Sequence, residues 1–408
     1  MSTTAVINPV FSVNNIRRLE PVFQRKAKEV TSLFERALDA GDGKTAAIDC
    51  TATFTKATLD VMGVALFGVD LSGLNSTEFS SGAKSNGQKQ QQQQQQQDEM
   101  TFHEAYDGIF GQDNLGKILM FANAFIPVRW LPLDANRRYL RATKWLEEFL
   151  TRLVRERARD IRKAYAAGKY TRGEARDLLT FIVEESLPGG PAEDITQEEI
   201  VGDLLQLMAA GHDTSANILS WAVYIMATKQ DIQDKLREEM FRELGQGTTA
   251  TDLSYAQIEA LPYLDNFLRE TLRVYASATT THRQAEKDEK ICGTFIPRGT
   301  TFDIVPHVTL MNPLIWGGDV DAFDPDRWRE GGNALPEAAR SPYAFSTFSN
   351  GPRVCMGRSF AFQEMKIILV EMLLEGYRFL RVDGPFTVEN PSLTLRPRGL
   401  RVVLQKSC

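Results

Sequence analysis

The stretch Phe348-Ser349-Asn350-Gly351-Pro352-Arg353-Val354-Cys355-Met356-Gly357 decides the reading of this chain, because every neighbour serves the presentation of one cysteine. Gly351 and Gly357 reach backbone angles closed to other residues, Pro352 stiffens the loop, and glycine leaves room for a flat ligand to lie against the main chain. Arg353 sets a permanent cation two residues from the sulfur, and a guanidinium suits the bidentate capture of a carboxylate. A thiolate offered in this way is a metal ligand. The competing reading is a glycine-rich turn around a buried structural cysteine, which in isolation is the commoner case.

The same ten residues resemble the signature Phe-x-x-Gly-x-Arg-x-Cys-x-Gly of the cytochrome P-450 superfamily, the haem-thiolate monooxygenases. Phe348, Gly351, Arg353, Cys355 and Gly357 all match. The resemblance implies haem b held by Cys355 as the proximal axial thiolate, whose electron donation favours O–O cleavage. It also implies that Arg353 meets a propionate, that Phe348 lies against the cofactor, and that O2 and substrate occupy the other face.

Outward from that loop, Glu199 to Thr228 carries a long helical pattern with apolar residues spread around its circumference, which predicts a buried helix. Its centre reads Ala209-Ala210-Gly211-His212-Asp213-Thr214-Ser215. Glycine there costs roughly 1 kcal/mol relative to alanine, and the polar run beside it marks a site. Gly211 permits close approach of a flat ligand, while the Thr214 hydroxyl can bond back to a helical carbonyl. The alternative is a kink whose buried polar groups are satisfied internally. Ala210, Gly211, Asp213 and Thr214 resemble the Ala/Gly-Gly-x-Asp/Glu-Thr element of the same family. That resemblance gives Thr214 the orientation of the oxygen substrate and Asp213 the relay of protons toward it. His212 is expected to pack or line the pocket.

Glu270-Thr271-Leu272-Arg273 puts acid and base on one helical face, and Phe323-Asp324-Pro325-Asp326-Arg327-Trp328 follows. The two resemble the family's Glu-x-x-Arg and aromatic-x-Pro-x-Arg segments, which assigns Glu270, Arg273 and Arg327 to a buried bracing network. By the same likeness Arg283 is a second propionate candidate. His103, His282 and His307 show no partner in the sequence and are expected at packing or surface positions.

Composition sets wide bounds. The 408 residues are 43% hydrophobic and 25% charged with a net charge of -6, so no nucleic-acid partner is implied. Cys50, Cys292, Cys355 and Cys408 are too scattered for a disulfide framework, which argues for a reducing compartment. No segment reads as a bilayer-spanning helix. Helical spacing dominates from Asn14 to Thr228 and strand-like runs gather after Thr279, giving a mainly α fold with minor β-sheets. Residues 80–99, ending in a glutamine tract, are too polar to join a core and are read as a disordered insertion. The mixed charges from Arg152 to Arg176 predict a solvated helix face. Gly43-Lys44-Thr45 is no phosphate-binding loop, since Leu38 stands where the earlier glycine is required.

Asn8-Pro9 resembles a point inside the family fold, so 1–408 is read as one domain that begins after the usual membrane anchor, first strands and first helices. The expected activity is insertion of one oxygen atom from O2 into an apolar small molecule, in the style of fungal secondary metabolism. Electrons would come from an NADPH-dependent reductase. With an upstream anchor the protein would sit on the endoplasmic reticulum, and otherwise in the cytoplasm or at a membrane surface. A vestigial haem-binding fragment is the alternative. A haem-thiolate isomerase is disfavoured by the Asp213-Thr214 pair.

Overall fold

The computed structural model describes residues 11–75, 100–111, 114–123, 126–173, 175, 177–245, 248, 253–329, 335–389 and 394–406. The expectations for 80–99, Asn8-Pro9 and Cys408 fall outside them. The chain forms two compact units, one of residues 1–22 and 59–210, the other of 23–58 and 211–408.

The principal helices are α1 (Glu20–Asp39), α2 (Cys50–Phe67), α3 (Phe102–Phe110), α4 (Asp134–Ala166), α5 (Leu178–Glu185), α6 (Gln197–Thr228), α7 (Gln230–Leu244), α8 (Pro262–Val274) and α9 (Arg358–Leu374). The unit boundaries fall inside α1, α2 and α6. Strand β1 (Thr45–Asp49) begins where the false phosphate-loop sequence ends, and β2 (Thr281–Gln284), β3 (Glu289–Ile291), β4 (Thr294–Ile296) and β5 (Thr301–Ile304) follow α8. After α9 come β6 (Tyr377–Val382), β7 (Thr387–Val388), β8 (Pro397–Arg398) and β9 (Arg401–Lys406).

In the first unit, local capping fixes the helix starts. The Thr101 hydroxyl accepts the Glu104 amide at 3.2 Å while the Glu104 carboxylate accepts the Thr101 amide at 2.7 Å, a reciprocal cap at the start of α3. Asp177 caps α5 through the Thr180 amide and also takes Arg157 of α4 at 2.7 Å, while the same guanidinium reaches the Phe67 carbonyl at 2.9 Å. Arg157 is therefore tethered and half-buried, a correction to the solvated face expected for Arg152–Arg176. The i,i+4 pattern of mixed charges does not reveal an anion at the start of the next helix. His103 is corrected likewise. Its Nε2 lies 3.4 Å from buried Asp60, whose oxygens also accept the amides of Gly73 and Leu74.

The second unit is built on the antiparallel sheet β1-β9-β6, with Ala47 opposite Val403 and Phe379 opposite Leu404. Three consecutive residues of β9, Val402, Val403 and Leu404, are buried, and in the same core the rings of Tyr377 and Phe379 each meet Phe34 edge-on. Helix α9 has no dry and wet face; residues 363–373 are buried without a break. Its first turn meets α1 through Phe360 and Phe23, ring centroids 5.0 Å apart.

Helix α8 begins at Pro262, whose fixed φ suits the first helical position, and the Glu239 carboxylate accepts the exposed first-turn amides of Tyr263 at 2.6 Å and Leu264 at 2.9 Å. Its last turns carry Glu270 and Arg273, both wholly buried. Arg273 grips Glu270 with two parallel donors at 2.8 and 2.9 Å. Arg327 reaches the same carboxylate at 3.4 Å, the Trp328 indole donates to it at 2.9 Å, and the Asp324 amide at 3.0 Å. Remaining guanidinium donors go to the carbonyls of Leu310, Trp316 and Ala322 and to Asp319. The Arg327 bond holds the Asp319 carboxyl below its usual range.

Two buried cations against Glu270 and the partly exposed Asp319 leave no stranded charge, so removing the shared anion is the damaging step. Glu270→Ala is expected to cost about 3–5 kcal/mol, the penalty for leaving a buried guanidinium unpaired, whereas Asp319→Asn, at the solvent edge, costs less than half of that. Denaturant midpoints of the two variants check the order, and equal losses would contradict it.

Candidate functional site

The approach to the cysteine loop is tied to α8: the Thr347 hydroxyl donates to the Leu272 carbonyl at 2.9 Å, next to the Glu270 cluster. From there the chain turns back on itself. Ser349 and Gly351 both take the left-handed conformation, with φ of 60° and 66°, and only the glycine does so without strain. A single 3₁₀ turn, Gly351–Arg353, follows, and the Cys355 amide closes the loop on the Phe348 carbonyl at 2.8 Å. Helix α9 starts immediately after, at Arg358.

Cys355 is exposed, not sealed in a core. Even so, protein crowds the sulfur, and this burial pushes the thiol above its ordinary value. Hydrogen bonds to it from the backbone amides of Gly357 and Arg358, with the Arg358 charge, pull the other way. Two amides directed at one sulfur favour its anionic form, as a metal-bound thiolate requires. Among the described residues no group of three or more His, Cys, Asp or Glu stands ready to hold a metal ion. One thiolate cannot retain a bare ion, so its other ligands must arrive with the metal, as they do in a macrocycle. The donor set fits haem in that sense.

Phe348 packs against Phe362 with centroids 5.6 Å apart and lies under the Arg358 guanidinium at 5.8 Å. Arg353 is exposed. Arg283 sits on β2, opposite Phe302 of β5, and its guanidinium reaches the His282 carbonyl at 2.8 Å and the Ser349 hydroxyl at 3.4 Å. The structure therefore joins Arg283 to the cysteine loop, while the cation of Arg353 faces outward. His282 is corrected from partnerless to paired: its Nδ1 is 2.7 Å from Asp303 on the strand alongside.

The helix that carries Asp213 and Thr214 runs unbroken from Gln197 to Thr228, two residues earlier than the pattern began. It is not buried on all sides. Gly202, Gln206 and Ala210, spaced by four, are exposed, and Asp213 and Thr214 are half-buried. His212 is buried. Two carbonyls of the central turn accept hydroxyls from elsewhere in the same unit: that of His212 from Thr58 and that of Thr214 from Ser277, each at 3.0 Å.

Asp213 is held by several side chains. Arg396 donates to its Oδ1, and Oδ2 accepts the Thr394 hydroxyl at 2.5 Å and the Asn217 amide at 3.3 Å. Burial alone would raise this carboxyl, but the Arg396 charge, His212 and the hydrogen bonds from Thr394 and Arg396 hold it below the usual carboxylate range. Arg396, Thr394 and Ser277 were missed in the sequence. None belongs to a short motif, and only the fold brings position 396 beside position 213.

A family model described as Cytochrome P-450 matches residues 1–403. The chain is similar to Cytochrome P-450 monooxygenase 128 of Postia placenta, 30% identical over 92% of this chain and 68% of that protein. Cytochrome P-450 monooxygenase FUM15 of Gibberella moniliformis is 28% identical over 96% of this chain and 67% of its own. The chain thus spans about two-thirds of the length of these relatives. Among solved structures, the haem domain of a cytochrome P-450 named DA superposes with a TM-score of 0.75 at 21% identity, covering 99% of this chain and 76% of that one, a likeness of fold. No helix among the described residues is long and apolar enough to cross a membrane. With a mainly helical fold, small sheets and a family match across nearly its whole length, the chain belongs to the cytochrome P-450 family.

Proposed function

We propose that this protein is a haem-thiolate monooxygenase that inserts one oxygen atom of O2 into an apolar small molecule, drawing electrons from an NADPH-dependent reductase. The observation that carries the reading is the Cys355 sulfur, reachable from outside and receiving two backbone amides. Haem, when bound, supplies the activation of O2, and Cys355 is the residue that holds its iron. Arg283 and Arg353 serve the propionates, with Arg283 oriented by Ser349. Phe348 and Gly211 present an apolar ring and a bare stretch of backbone to the cofactor. That similar proteins of Gibberella moniliformis and Postia placenta are named cytochrome P-450 monooxygenases supports the monooxygenase reading.

On the distal helix the chain's own groups manage protons. Asp213, kept ionised, takes a proton from solvent at a carboxylate oxygen and passes it toward the Thr214 hydroxyl one residue away, while Thr214 orients the oxygen substrate by hydrogen bonding. The hydroxyls of Thr58 and Ser277 hold the carbonyls on either side of Asp213 and keep that turn in place.

The reduced, purified protein is expected to give a thiolate-type Soret band on adding carbon monoxide, and Cys355→Ala to lose it while staying folded. Absence of the band in well-folded native protein would refute the assignment. Thr214→Ala is expected to keep the band yet divert at least about tenfold more of the consumed NADPH to hydrogen peroxide, in line with the loss of one positioned proton-transfer group. Peroxide released per NADPH, measured with a reconstituted reductase, decides this, and an unchanged ratio removes Thr214 from the role.

A further inference from the structure

Arg396 lies between two carboxylates. It donates to Asp213 on one side, and its Nε is 3.8 Å from Glu389 on the other; all three side chains are at least four-fifths buried. The segment around it is pinned from several directions. The Leu395 amide donates to the Ser277 carbonyl at 2.8 Å, the Trp221 indole donates to the Leu395 carbonyl at 2.9 Å, and the Glu389 amide donates to the Arg396 carbonyl at 2.9 Å. Val388 pairs with Pro397 in the hairpin β7-β8, and Ala278 bridges Thr394. Ser277 closes the circuit, because its hydroxyl donates to the carbonyl of Thr214. The guanidinium and the Asp213-Thr214 turn are therefore referenced to the same short piece of backbone after α8, and their relative placement does not depend on the flexibility of a long side chain alone.

We propose that Arg396 is a positioning residue for the reaction inferred above: shared between Asp213 and Glu389 and seconded by Thr394, it fixes both the orientation and the charge of the Asp213 carboxylate beside Thr214. The inference rests on the haem-thiolate reading and deepens it. A carboxylate this deeply placed would otherwise take up a proton and become a donor of fixed direction, unable to collect one from solvent. One guanidinium prevents that. Its division between two carboxylates, one cation for two anions, also keeps Asp213 from being held so strongly that it ceases to act as a base. The charged and titratable groups facing Asp213 are Arg396 and His212, with Glu389 reaching it only through Arg396.

The test uses carbon monoxide on the reduced, haem-loaded protein, with two readouts. The thiolate-type Soret band reports on Cys355 independently of Arg396, so its absence in the native protein sinks the parent reading and this inference together. Where the band is present, the infrared C–O stretch, which senses charge on the distal side, is followed from about pH 8 to pH 5. The native protein is expected to show a flat response because Asp213 stays ionised throughout. Arg396→Gln leaves burial opposed only by His212 and the hydrogen bonds from Thr394 and Asn217, and a transition is expected to enter this window, an upward shift of at least about two pH units. Arg396→Lys, which keeps the cation, is expected to restore the flat response, and Arg396→Gln combined with Asp213→Asn to abolish the transition. If Arg396→Gln fails to fold, Arg396→Met keeps the aliphatic stem and reads the same quantity. A flat response in the uncharged variant, or a transition that survives in the double variant, overturns the proposal and leaves the haem-thiolate reading untouched.

Discussion

The carboxylate of Glu270 is the constraint on which the second unit turns. It accepts from two guanidiniums, one indole and one backbone amide, while having no exposed surface of its own. Removing a carboxylate from water is repaid only when all its lone pairs are engaged in good geometry. That requirement brings the end of α8, the segment around Leu310 to Asp324, and the 3₁₀ turn Pro325–Trp328 into one register. The cluster of Ala276, Leu310, Trp316, Val320, Ala339 and Ala344 then packs beside the charges and keeps water from them. Because Thr347 hangs on the carbonyl of Leu272, the cysteine loop inherits its position from the same helix. The ion network makes no contact with the thiol, yet it sets where the thiol is.

Around Cys355 two tendencies oppose each other. Crowding favours the neutral thiol, and the amides of Gly357 and Arg358 favour the thiolate, with crowding the stronger in the protein alone. A loop of this kind protects its cysteine from adventitious reaction until a metal displaces the proton, since coordination lowers a thiol's pKa far more than any hydrogen bond. Metal capture by such a site releases a proton, and affinity therefore rises with pH until the thiol ionises unaided.

Much of this was legible because the decisive contacts are short in sequence. The cysteine loop, the Glu270-Arg273 pair and the Asp213-Thr214 turn each occupy a window of ten residues or fewer, where turn chemistry or helical spacing fixes which groups are neighbours. The mainly helical architecture followed from periodicity for the same reason. The unreadable part is long-range. Arg396 reaches Asp213 across 183 positions, Lys366 reaches Glu259 across 107, and Arg157 finds the Phe67 carbonyl across 90. Nothing local distinguishes those cations from solvated ones. His103 and His282 looked partnerless for the same reason, since Asp60 and Asp303 come from other elements. The open face of α6 at Gly202, Gln206 and Ala210 was hidden by composition: small residues and one glutamine among leucines leave the helix apolar on average while clearing a stripe of three residues spaced by four.

Several buried charges in the second unit come in compensated sets. Glu270 has Arg273 and Arg327, Asp213 and Glu389 share Arg396, and Lys366 has Glu259 and Asp265. Glu364 on α9 is held differently. It is wholly buried, desolvation pushes its pKa up to about 8, and the hydroxyl of Ser215 is the group that opposes the rise. No ion pair among the described residues compensates it, so at neutral pH it largely keeps its proton, because a neutral acid costs less than an anion in a dry interior. The sign of the linkage follows. A carboxyl whose pKa is raised on folding contributes most below its unfolded value, and that contribution fades as pH climbs from the ordinary carboxylate range toward about 8. Asp213 and Glu364 are thus driven to opposite protonation states, the first by the Arg396 guanidinium with His212 and the Thr394 hydrogen bond, the second by burial that the Ser215 hydroxyl alone opposes.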